Sequence, residues 1–327
     1  MWLGWWLACA SEQQLQSADQ APAPPPATWT AAADTGAPLL TTEAGTEADA
    51  PLTWDCAALP DRPLSVETID GAIATLDVAF DEAGYLYGYD GASALVRTLR
   101  GHEAGLVTYD PQGVQQMDWA ADGRLVLANT GNFDLMAVDT GTGIGESVAS
   151  GVSYVYGLRV ADDGAVWSAN GNLLRADPIT GRIQELFNPL WLAMVFDWSP
   201  DGERLYVSGE TGGEVYALPL DGDGLPDGRI ERVGATPGTG HRSLGVDACG
   251  NLYLSESATF AIYRMTPAGD VSKIYDMSPP DTEGIPYGFE WGNGVGGWRA
   301  DALYVTNPFA LTVTEVVIGV PSRRYQP

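Results

Sequence analysis

The sequence predicts an all-β, six-bladed β-propeller, closed by an N-terminal strand and preceded by a disordered tether. Three observations carry this. First, one phrase recurs six times: a short apolar run, an acidic-Gly turn, then a second apolar run ending in a carboxylate or amide. The copies are LDVAFDEAGYLYGYD from Leu76, QMDWAADGRLVLAN from Gln116, YGLRVADDGAVWSAN from Tyr156, VFDWSPDGERLYVSGE from Val195, LGVDACGNLYLSE from Leu244 and YGFEW…ALYVTN from Tyr287. Second, the copies start about 40 residues apart, with one longer step before the fifth, the period of four-stranded propeller blades. Third, the last blade runs out of chain after Val313–Ile318, whereas an alternating segment, Leu64–Ile69, stands unpartnered before the first. Donating that strand to the last blade closes the ring and removes the open edges.

The second blade shows how each is built. Gln116–Trp119 reads as a short innermost strand and Asp122-Gly123 as its hairpin turn, Gly supplying the positive φ. Leu125–Leu127, Phe133–Val138 and Gly143–Val148 follow as the outer strands. In the third blade Ala165–Ala169, Leu173–Ala176 and Arg182–Leu186 repeat the order. No helical period is evident in the body of the chain.

Three segments follow from composition: 1–9 as a lipoprotein-type signal, 10–53 as a disordered tether rich in Ala and Pro, and 54–327 as the propeller. The apolar run Trp2–Ala8 ends in Leu7-Ala8-Cys9, which resembles the end of a bacterial lipobox, although no Lys or Arg precedes it. It is too short to span a bilayer. The stretch APAPPPATWTAAADTGAPLLTTEAGTEADAP cannot bury enough apolar surface to order itself. Cys9 is the expected lipidation site. The two remaining cysteines, Cys56 and Cys249, are then expected to form a disulfide in an exported chain. These features place the protein outside the cytoplasm as a membrane-anchored bacterial lipoprotein that meets the membrane only through its lipid.

Sixteen Lys+Arg against 43 Asp+Glu leave a net charge of −27. Such a surface repels nucleic acid and anionic lipid. It serves solubility and admits a small polar ligand, a sugar acid or a protein partner; a monomer is expected.

The phrases DWSPDGERLYVSGE and LGVDACGNLYLSE, with ALPLDGDGLPDGRIERV between them, resemble the six-bladed family of regucalcin, gluconolactonase and the luciferin-regenerating enzyme. The likeness covers roughly Ala74 to Ile318. It implies a lactonase-type hydrolase holding one divalent ion at the channel mouth through a Glu, an Asn and an Asp. Each of these stands four residues before the last core residue of an inner strand. Counting back from Phe80, Trp198 and Val246 gives Leu76, Met194 and Arg242. None is a ligand for a hard cation, which needs oxygens. A shift of one residue would bring Asp77 and His241 into the ring. The implied metal site is therefore lost or rebuilt, and no cofactor is expected. The alternative is one divalent cation, calcium or zinc, held by Asp90 and Glu256.

A second ring stands at the ends of the second strands: Asp90, Asn129, Asn170, Glu256 and Asn307, with Glu210 one place further on in the fourth blade. Inner-strand starts add Gln115, Tyr156, His241, Arg242 and Tyr287. Carboxylates, amides and phenols converging on a channel suit a small polar ligand. Asp and Asn also favour turns, where their side chains bond nearby backbone. Two functions remain open: a binding head without a metal, and a lactone or ester hydrolase with a rebuilt metal site.

GNGVGG at 292–297 leads into a strand rather than a helix, so it offers no phosphate site. DGDGLPDG at 221–228 places Leu225 where a calcium loop needs oxygen.

Overall fold

The computed structural model describes residues 52–92, 94–109, 111–152, 154–186, 193–209, 212–277 and 284–325. The expected lipidation site Cys9, nearly all of the tether and Glu210 fall outside them. Within the unit 50–327 the described residues form twenty-four strands in six antiparallel sheets of four, one per blade.

The first blade contains β2 (Val78–Phe80), β3 (Tyr85–Tyr89), β4 (Leu95–Leu99) and β5 (Gly105–Thr108). The second contains β6 (Val114–Trp119), β7 (Leu125–Asn129), β8 (Asp134–Asp139) and β9 (Ile144–Ser150). The third contains β10 (Gly157–Val160), β11 (Val166–Ala169), β12 (Leu173–Ala176) and β13 (Ile183–Glu185). The fourth contains β14 (Val195–Trp198), β15 (Arg204–Ser208), β16 (Glu214–Pro219) and β17 (Glu231–Ala235). The fifth contains β18 (His241–Val246), β19 (Leu252–Glu256), β20 (Ala261–Met265) and β21 (Val271–Asp276). The last sheet runs β22 (Phe289–Trp291), β23 (Ala302–Asn307), β24 (Thr312–Val317) and then β1 (Ser65–Thr68). The N-terminal strand thus closes the ring as expected, with Ser65 opposite Val317 and Thr68 opposite Thr314.

That closure sets Glu67 directly across from Glu315. Like charges so paired repel. Arg100, from the first blade, lies between them, with Nη2 3.1 Å from Glu67 and Nη1 2.5 Å from Glu315. One guanidinium therefore ties the two outer strands of the last blade to its neighbour.

Blades stack through buried aromatic and aliphatic side chains. The inner strands of the second, fourth and sixth blades each end in Trp, and each Trp meets an aromatic of the preceding blade edge-on. The pairs are Trp119–Tyr87 at 5.2 Å, Trp198–Trp167 at 5.4 Å and Trp291–Tyr253 at 5.6 Å between ring centroids. Edge-to-face pairs add about 0.5–1.5 kcal/mol beyond their area. Inner strands approach so closely that a Cβ on Gly288 would stand 2.0 Å from the Leu76 carbonyl oxygen, so only glycine fits there.

Candidate ligand site at the channel mouth

Inner strands begin and second strands end on one face, because the two are antiparallel. Phe80, Trp198 and Val246 are each the last paired residue before the hairpin, facing Leu86, Leu205 and Leu252. The register read from the sequence therefore holds, and Leu76, Met194 and Arg242 occupy the positions of the implied metal ligands. Met194 is buried and apolar. Arg242 is the extra residue of a β-bulge between His241 and Ser243, and its guanidinium lies 5.4 Å from the centre of the Tyr287 ring. A bulge re-aims a side chain, here placing a cation over an aromatic face. An alkyl chain, a thioether and a guanidinium do not fit a hard divalent ion. Among the described residues no group of three His, Cys, Asp or Glu side chains is placed to hold a metal.

The one-residue shift does not assemble a site either. Asp77 is buried, and its Oδ2 accepts a hydrogen bond from the Met117 backbone N–H at 3.0 Å. His241 is buried between two hydroxyls. The Ser208 Oγ donates to the Glu214 carbonyl at 2.9 Å, so it receives the Nδ1 proton of His241. Nε2 then accepts from the Thr236 Oγ1 at 2.7 Å. Burial pushes the imidazole down to about 4, so it is neutral at pH 7 and serves the packing of the fourth and fifth blades.

The second-strand ends gather at the mouth face, where their side chains accept hydrogen bonds from nearby backbone N–H groups. The Asp90 Oδ1 accepts from Ala92 and Ala94 N–H groups, both at 2.9 Å. The Asn170 Oδ1 accepts from Asn172 at 3.2 Å, and the Asn307 Oδ1 from Phe309 at 3.1 Å. Glu256 accepts from Ala258 at 3.0 Å and from Thr259 at 2.8 Å. The Asn129 Oδ1 takes the Gln112 N–H at 2.8 Å. Short polar side chains at turns bond the nearest backbone donors, and this chemistry repeats around the ring. Tyr156 and Tyr287 are half-buried at the starts of their inner strands.

Deeper in the channel lies a charged ring that sequence reasoning missed. The residue before the last core position is Asp118, Arg159, Asp197 and Glu290 in the second, third, fourth and sixth blades. The recurring Asp-Trp, Glu-Trp and Arg-Val pairs were its signal. The two aspartates satisfy the free edges of neighbouring inner strands. Asp118 accepts from the Val160 N–H at 2.8 Å, and Asp197 from the Val246 N–H at 2.9 Å. Arg159 is buried, with Nη2 3.4 Å from Glu290.

The C-terminal segment supplies two more cations from the opposite, hairpin face. The Arg323 Nε lies 2.7 Å from Asp197, and the Arg324 Nη1 lies 3.1 Å from Asp118. Burial would raise the Asp197 carboxyl, but Arg323, Arg159 and Arg324 hold it below its ordinary value. Burial raises Asp77 to about 8 against the pull of Arg159, and it raises Glu290 in the same way. The C-terminal segment thus meets the hairpin end of the channel through ion pairs. Asp118, Asp197, Arg159 and Glu290 can keep their charges there because each is in an ion pair.

The same hairpin face carries the Cys56–Cys249 disulfide, with Cα atoms 5.5 Å apart. Trp54 packs edge-on against Tyr325 beside it, ring centroids 6.3 Å apart.

Comparison with known proteins agrees with this architecture. No curated protein sequence matches the chain. Among solved structures, a regucalcin from Agrobacterium tumefaciens, described as a calcium-binding protein, superposes with a TM-score of 0.66 at 18% identity, covering 81% of this chain and 97% of that one. A gluconolactonase from Xanthomonas campestris superposes at 0.63 and 18% identity, covering 83% and 94%. A streptogramin B lyase superposes at 0.57 and 12% identity, covering 77% and 96%. These identities establish the fold alone. The model of the SMP-30/gluconolactonase/LRE-like region matches residues 82–285, more than half the chain, and the protein belongs to that family.

Proposed function

We propose that the channel mouth binds a small polar organic ligand, an anion such as a sugar acid, without a metal ion. The observation that carries this is Arg242: a cation held against Tyr287 stands where the family resemblance implies a metal-binding carboxylate. A guanidinium offers planar, bidentate recognition of a carboxylate. It offers no route to an activated hydroxide, the step for which a lactonase uses its ion. Exposure of this mouth on a lipid-anchored, exported head, through Cys9 and the Pro-rich segment, completes the reading.

The test is metal analysis of the purified protein together with titration of D-glucuronate. The reading expects no stoichiometric divalent ion, binding that Arg242→Gln weakens at least tenfold, and no lactone hydrolysis with added calcium, zinc or manganese.

Family membership favours a second reading, a lactone or ester hydrolase whose metal site is rebuilt around Asp90 and Glu256. One tightly held ion per chain, with hydrolysis abolished by Glu256→Gln, would establish it. The turn N–H groups already bound to Glu256 and Asp90 weigh against it.

A further inference from the structure

We propose that the ligand of this mouth carries an aromatic or other planar apolar group beside its polar head, and that an aromatic rim on the mouth face receives it. The inference rests on the binding reading above and names the ligand class.

The residue just before the third strand takes a left-handed backbone in four blades. It is Phe133 before β8 (φ 54°), Gly213 before β16 (φ 64°), Phe260 before β20 (φ 54°) and Leu311 before β24 (φ 55°). The fold needs this conformation. The carbonyl of Phe133 accepts the N–H groups of Gly151 and Val152, that of Gly213 the N–H of Thr236, and that of Phe260 the N–H of Met277. In each case the bond anchors the chain as it leaves the outermost strand.

Glycine satisfies that conformation without strain, as Gly213 shows. A bulky side chain there is strained. Burial does not compensate, because Phe133, Phe260 and Leu311 are 45%, 38% and 40% exposed. Tyr154, in the loop between the second and third blades, repeats the combination with φ 49° and 57% exposure.

These four are the only non-glycine residues with positive φ among the described residues, and all are large, apolar and exposed on the mouth face. The other strongly exposed aromatics, Tyr109 and Phe309, lie in loops of that face too. Phe133 and Tyr154 already face one another, ring centroids 6.0 Å apart at 62°. Strain kept at exposed positions points to contact with something bound. Rings around a mouth that offers Arg242 and Tyr287 at its inner strands suit one class of ligand, an anionic head joined to a flat apolar body.

The test is calorimetric titration of the full chain with D-glucuronate and with phenyl β-D-glucuronide, which share a head and differ by an aromatic ring. The phenyl compound should bind at least tenfold tighter. Phe133→Gly with Phe260→Gly should bring the two to parity without lowering the melting temperature, since glycine already stands at the equivalent position of the fourth blade. Equal affinities, with glucuronate binding still dependent on Arg242, sink the rim and leave the anion site. A lowered melting temperature, or an aryl preference that survives the glycine pair, also overturns the rim. No binding of either compound, or binding unchanged by Arg242→Gln, overturns both readings.

Discussion

Arg324, three residues from the C-terminus, lies on the carboxylate of Asp118 in the second blade, its Nη1 3.2 and 3.1 Å from the two oxygens. Its Nη2 donates to the Val160 carbonyl of the third blade at 3.0 Å. A segment beyond the last strand thus joins two blades it does not belong to, and Arg323 does the same between Asp197 and the Val246 carbonyl.

The channel acids should therefore need this segment. Arg323→Met removes the partner of Asp197, a pair whose side chains are both largely buried. Breaking such a pair costs roughly 3 kcal/mol. Arg324→Met, where the guanidinium side chain is 39% exposed, should cost less because solvent screens the pair. Urea midpoints of the two variants check the order. Equal and negligible losses would show that the segment only rests on the channel.

Asp77 should make stability fall as pH rises. Its carboxyl titrates near 8 in the fold and near 3.9 unfolded. Between these values the folded state holds a proton that the unfolded state has lost, so its contribution is full at low pH and lost as pH rises through 8. Asp77→Asn keeps an acceptor for the Met117 N–H and never ionises. Its stability advantage over the wild type should grow by roughly 1 kcal/mol per pH unit from pH 5 to pH 8. Arg159 and Glu290, which also face Asp77, stay in place in both proteins. A difference independent of pH would refute the assignment.

Arg100 should hold the ring closed. Arg100→Met leaves Glu67 and Glu315 opposed across the closing strand, with Glu315 buried. The expected loss is ~2–4 kcal/mol, and Arg100→Met with Glu315→Gln should recover much of it. Hydrogen exchange of Ser65–Thr68 would rise first if closure is what fails.

The Cys56–Cys249 bridge joins residues 193 apart in sequence. Replacing both by Ser should cost ~2–4 kcal/mol. An unchanged denaturation midpoint would mean that Trp54 and its neighbours hold this edge unaided.

How much of this was legible beforehand follows from period and range. The blade phrases, the closing strand Leu64–Ile69 and the Cys56–Cys249 pairing could be read from the chain, because hairpins and repeats are set by residues near one another and by counting. So could the odd residues Leu76, Met194 and Arg242, since the register of an inner strand is anchored by its own turn. The pairing of the charged channel could not be read from the chain. In that ring Asp197 and Asp118 pair with Arg323 and Arg324, and Arg159 with Glu290, each more than a hundred residues away, and only closure of the propeller brings those charges within ion-pair distance. His241, which starts the inner strand of the fifth blade, is buried against Ser208 and Thr236 of the fourth, and that burial is set by the packing of two adjacent blades. The rim was hidden for a different reason: Phe133, Tyr154, Phe260 and Leu311 read as ordinary apolar letters. It was the folded backbone that gave them a left-handed conformation and left them facing solvent.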